Sequence, residues 1–101
     1  MAVSPELHSA VLVRDQYCFL RRLDATHQCR DAWGVRHASD DLNKLTVDHV
    51  WPIAGGVRGK RAPDREDCLV ALCADANIRG PSRLVRQAQR EYLRRLYPVE
   101  S

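Results

Sequence analysis

The sharpest periodic signal lies near the C-terminal end of the chain. Val85, Ala88, Tyr92 and Leu96 recur at 3-4-4 spacing and fall on one face of a helix. Arg83, Arg86, Arg90 and Arg94 keep the same rhythm on the opposite face. The spacing predicts a helix over 82–97, capped by Ser82 after the Gly80-Pro81 break and stopped by Pro98. A second helix is expected from Ser4-Pro5-Glu6, which combines a cap, a proline at the first helical position and an acid in the first turn. Leu7, Ala10, Val11 and Arg14 follow at helical spacing, to an end near Asp15.

Between these helices the pattern changes. Residues 18–41 show no clear period, and that is long for a structureless loop, so a metal or short helical pieces are expected to hold them. Lys44-Leu45-Thr46-Val47 has strand character and runs into Asp48-His49-Val50. Gly55-Gly56 and Gly59-Lys60-Arg61 mark a positively charged loop. The apolar run Leu69–Leu72 suits either a strand or a buried helical turn. Trp33 and Trp51 are expected in the core, with Trp51 alternatively shielding whatever site His49 belongs to. His8 reads as a surface residue.

The 101 residues suffice for one domain, 1–101, with no repeat or linker to suggest a second. No apolar run approaches the roughly 20 residues needed to cross a bilayer, and residues 1–5 lack the basic start of a signal peptide. A cytoplasmic location without membrane contact is therefore expected. The net charge of +3 is unevenly spread. Residues 1–50 carry six Lys/Arg against seven Asp/Glu, whereas residues 51–101 carry ten against six, so a phosphate backbone would be met by the second half. The four cysteines are Cys18, Cys29, Cys68 and Cys73. None forms a CxxC pair, which leaves burial, redox chemistry and metal binding all open, with burial favoured.

One stretch carries candidate chemistry. Asp48-His49, Pro52, Gly55-Gly56, Leu72-Cys73 and Asn77 occur in that order between residues 45 and 79. Metal-assisted cleavage of a phosphodiester needs a carboxylate and a further ligand for a divalent ion, and a histidine to take a proton from water. This string resembles the HNH nuclease motif, and the whole chain resembles the small free-standing HNH proteins common in phage genomes. The resemblance implies a small α+β fold: an N-terminal helix, a ββα-metal core with a short two-stranded hairpin at about 45–79, and the basic amphipathic helix at the C-terminus. It implies His49 as general base, Asp48 and Asn77 as ligands of Mg²⁺ or Mn²⁺, and Leu69–Leu72 as the second strand.

The family's central Asn, which orients the histidine, falls on Cys68, and neighbouring Asp67 is the residue placed to take over its role. Many members also hold a structural zinc with two CxxC pairs. Here Arg21 and Ala76 stand where the partners of Cys18 and Cys73 would be, so Cys29, His27 or His37 would have to complete such a site. The function implied is a divalent-metal-dependent DNA endonuclease. Phosphate contacts are expected from Lys60, Arg61, Arg83, Arg86, Arg90 and Arg94, and a packaging complex or a host protein is a further expected partner, in the host cytoplasm if the chain is phage-encoded. Two alternatives follow from the departures: a catalytically degenerate HNH scaffold that binds DNA or inhibits a host protein, and a zinc-stabilised interaction module.

Overall fold

The computed structural model describes residues 3–53 and 55–98. Helix α1 spans Pro5–Asp15, with the Ser4 hydroxyl accepting from Leu7 N–H. A single turn, α2 (Leu20–Leu23), follows. Two antiparallel hairpins come next. The first pairs β1 (Cys29–Arg30) with β2 (Arg36–His37); the second pairs β3 (Leu45–His49) with β4 (Leu69–Cys73). Helix α3 (Ala74–Arg79) leaves β4 without a linker, and α4 (Arg83–Leu96) closes the described chain. The protein is a small α+β fold with an N-terminal helix, two small hairpins and a C-terminal helix.

Strand β4 is the centre of the core. All five of its residues are buried, which explains its unbroken apolar run: a strand covered on both faces shows no alternation. Leu12, Phe19, Leu45, Val50 and Leu93 pack with it. The register pairs Asp48 with Val70 and His49 with Leu69, so β3 carries its two chemical residues to the end of the hairpin.

A buried carboxylate ties three elements together. Asp15, at the end of α1, accepts from the Arg14 guanidinium at 2.7 and 3.0 Å, from Ala71 N–H at 2.8 Å and from the Tyr92 hydroxyl at 2.5 Å. Arg14 also donates to the Glu66 and Leu69 carbonyls. Burial and the Asp15 hydrogen bond push the Tyr92 phenol up to about 12, so it remains a donor at neutral pH.

Two expectations need correction. Trp33 is not in the core: it is 87% exposed at the tip of the β1–β2 hairpin. The long segment before it is held by local turns and by a cysteine cluster, and the tip needs no apolar neighbours. The apolar face of α4 is centred on Gln89 and Leu93, both buried, while Leu96 is 43% exposed. The helix ends there and has nothing further to pack against.

Candidate active site and candidate metal centre

Asp48, His49 and Asn77 share one cleft of about 590 Å³. Also lining it are Trp51, Gly56, Lys60, Arg61, Arg86 and Arg90. Three parts of the chain build it: the end of β3 with the following loop, α3, and the first turns of α4. Gly56 has a φ of +44°, and a Cβ there would collide with the Trp51 indole, so glycine is required where the loop folds over the ring. The indole N–H in turn donates to the Lys60 carbonyl at 3.1 Å. Trp51 is thus a half-buried wall of the cleft.

Asp48 is only 3% exposed, and one of its oxygens is already engaged. Oδ2 accepts from Arg86 Nη1 at 2.6 Å and from Gln89 Nε2 at 2.9 Å. Arg86 Nη1 also reaches the His49 carbonyl and Gln89 Oε1. Asn77 donates through Nδ2 to Thr46 Oγ1 at 2.9 Å and to the Val47 carbonyl at 3.1 Å. Those two bonds fix its amide against β3, with Oδ1 as the end left for another partner. Arg90 brings a guanidinium whose Nε is sealed from solvent yet has no hydrogen-bond partner among the described residues.

His49 is held by a residue not singled out in the sequence. Its Nε2 lies 2.7 Å from Asp64 Oδ1, and this bond keeps the Asp64 carboxyl below the usual carboxylate range. Arg61 stands 3.5 Å from the same oxygen. Asp67 and Cys68 face elsewhere. The Asp67 carboxylate is forked by Arg65 at 3.0 and 3.1 Å. Cys68 is buried with its Sγ 3.6 Å from Asp67, and burial pushes its thiol up. Asp64 sits in an aperiodic loop and had no sequence signal beyond its charge. Gln89 had one: it lies four residues from both Val85 and Leu93, a polar residue on an apolar stripe.

The basic residues divide. Lys60, Arg61, Arg86 and Arg90 line the cleft, whereas Arg83 and Arg94 are exposed on α4 away from its lining.

A second constellation lies where the irregular segment meets β4. The Sγ atoms of Cys18, Cys29 and Cys73 and a ring nitrogen of His27 all fall within 4.8 Å of one another. His27, rather than His37, supplies the histidine. Cys18 follows α1, His27 and Cys29 lead into β1, and Cys73 ends β4, so the cluster pins the 18–41 segment to the core. Cys73 is the acidic member: the Cys18 hydrogen bond, then His27, pull its thiol down. The same bond to Cys73 and burial push Cys18 up, and burial foremost pushes Cys29 up to about 11. Three sulfurs and an imidazole can hold a metal ion, and such soft donors suit zinc.

No helix among the described residues is long and apolar enough to cross a membrane. No family model, curated protein or solved structure matches the chain.

Proposed function

We propose that the protein is a divalent-metal-dependent endonuclease of HNH type acting on DNA. The observation that carries this reading is the convergence of Asp48, His49 and Asn77 in one cleft with four cationic side chains. Three points support a cation and a phosphate there. Asp48 Oδ1 and Asn77 Oδ1 make no hydrogen bond among the described residues, so both oxygens can ligate an ion. The Asp48 carboxylate already sits against a cationic group, Arg86. The guanidinium of Arg90 lines the same cleft, and such a charged fork suits a phosphate oxygen.

A Mg²⁺ or Mn²⁺ ion bound by Asp48 and Asn77 would supply Lewis-acid stabilisation of charge on the phosphate. The chain's own residues do the rest. With Nε2 engaged by Asp64, His49 presents Nδ1 to take a proton from water. Asp64 fixes the ring's orientation, the role expected of Asp67 or Cys68. Arg86, Arg90, Lys60 and Arg61 hold the phosphate backbone beside it. A Mn²⁺ titration followed by electron paramagnetic resonance tests the ion site. Wild type should bind an ion that Asp48→Ala loses with its fold intact, and an undiminished signal in the variant would remove Asp48 from the site.

The second centre fits a structural zinc. A tetrahedral zinc with bonds of about 2.3 Å sets its sulfurs about 3.8 Å apart, and the four donors, within 4.8 Å of one another, need only a small contraction to meet that.

A second reading is favoured by the occupied oxygen of Asp48 and by the thiol at Cys68: a worn scaffold that binds DNA or a host protein without cutting. An inactive His49→Ala variant that keeps every biological effect would select it.

A further inference from the structure

The β1–β2 hairpin presents a fully exposed indole on a rigid tip. Asp31 Oδ1 accepts from both Trp33 N–H and Val35 N–H at 2.9 Å. The main chain closes the turn through Asp31 N–H to the Val35 carbonyl and Gly34 N–H to the Asp31 carbonyl. Gly34 takes a φ of +82°, and Arg30 Nη1 donates to its carbonyl at 2.8 Å. Nothing covers the ring, yet its backbone has no freedom left to fold it inward. At the base, Cys29 belongs to the cysteine–histidine cluster, so the same centre that pins the segment also fixes the tip.

The charge around the ring says what it meets. Arg30 and Arg36 are direct cross-strand partners, and two like charges in that position disfavour pairing unless a counter-charge is brought to them. Neither makes a salt bridge among the described residues. The nearest acid in sequence, Asp31, spends its carboxylate on the backbone of the turn. An exposed aromatic ring on a hairpin that also carries two paired arginines without acidic partners complements a ligand with a flat face and phosphates.

We propose that Trp33, with Arg30 and Arg36, is a stacking platform for an unpaired base of a single-stranded or locally opened nucleic acid. Base–aromatic stacking is indifferent to sequence because every base has a π-face. Trp33 does not line the catalytic cleft, and the platform requires no ion there, so it stands or falls apart from the cleavage reading.

The test is equilibrium binding, by fluorescence anisotropy, of a labelled thymidine single strand and of the matching duplex. It uses the full chain with its zinc and no magnesium or manganese. Trp33→Ala should weaken single-strand binding by about fivefold or more while changing duplex binding far less, and Trp33→Phe should restore most of it. Arg30→Gln with Arg36→Gln should weaken both ligands and flatten the salt dependence. Because the indole touches no core residue, the melting temperature of Trp33→Ala should match wild type. Unchanged single-strand affinity in Trp33→Ala, an equal loss on duplex, or no single-strand binding by wild type would each overturn the proposal, the last turning attention to a protein partner. Absence of plasmid cleavage would leave these results readable.

Discussion

Asp48 and Arg86 form an ion pair, with Arg86 Nη1 2.6 Å from Asp48 Oδ2, that joins the end of β3 to the first turn of α4. It places a guanidinium against a carboxylate that would otherwise be buried uncompensated. A buried carboxylate is costly without a cation or hydrogen bonds. Arg86 and Gln89 meet that need here, and a divalent ion at Asp48 would meet it as well.

Replacing Arg86 by Met should therefore destabilise the ion-free protein by about 1–3 kcal/mol, since Gln89 remains as a donor. Added Mn²⁺ should return part of the lost melting temperature in the variant, by binding the form in which Asp48 is left uncovered. A variant whose melting point ignores Mn²⁺ would show that the pair is purely structural.

Removing Asp64 should slow cleavage and leave the fold alone. Its carboxylate is exposed and, among the described residues, touches only His49 and Arg61, so Asp64→Ala should melt with wild type. The rate should drop about 10–100-fold, the usual cost of losing a partner that orients a chemical group, while Asp67→Ala should cut normally. Because Asp64's carboxyl is held below its ordinary range, its contact with His49 should persist at neutral pH and loosen only as pH falls through that lowered value. Equal rates for Asp64→Ala and wild type would contradict the positioning role.

The cysteine–histidine centre should take up one zinc per chain, and chelation should unfold or loosen the 18–41 segment first. Ligation needs all three cysteines as thiolates, and the Cys18–Cys73 hydrogen bond pushes Cys18 up while it pulls Cys73 down. Binding should thus release about two protons per ion and weaken as pH falls. Calorimetry in buffers of different ionisation enthalpy measures that number. Substituting His27→Ala should lower zinc affinity and His37→Ala should not; the reverse would place the fourth ligand wrongly.

The Asp15 network should dominate stability. Asp15→Ala leaves the buried Ala71 N–H without its acceptor and takes the carboxylate from Arg14, and a loss of about 3–5 kcal/mol is expected from denaturant unfolding. Tyr92→Phe should cost about 1–2 kcal/mol and couple to Asp15→Ala in a double-mutant cycle. Additive effects would mean that the short contact between hydroxyl and carboxylate contributes little.

Helix α1, strand β3 and helix α4 were legible in the sequence because each carries a local signal: the Ser4-Pro5-Glu6 start, the β-rich run to His49, and the 3-4-4 spacing after Ser82. The pairing of β4 was expected only through the resemblance and not from the run itself, since a strand buried on both faces reads like any apolar run. Cys18, the pair His27 and Cys29, and Cys73 come from three places in the chain, and only the fold brings them together. Even spacing placed Arg86 and Arg90 on one helix face with Arg83 and Arg94. Spacing does not tell which of them meets a buried carboxylate across the molecule. Trp33 was misread because aromatic residues usually bury their area, and a hairpin tip held by Asp31 has no need of that burial.

The central claim is that the cleft holding His49 cuts DNA with the help of a divalent ion. Purified protein incubated with supercoiled plasmid, with Mg²⁺, Mn²⁺ or EDTA, beside His49→Ala, tests it most directly. Nicking or linearisation by wild type with either ion, abolished by EDTA and by the substitution, is the expected result. Plasmid left supercoiled by wild type with both ions, or cut equally well by His49→Ala, would contradict it.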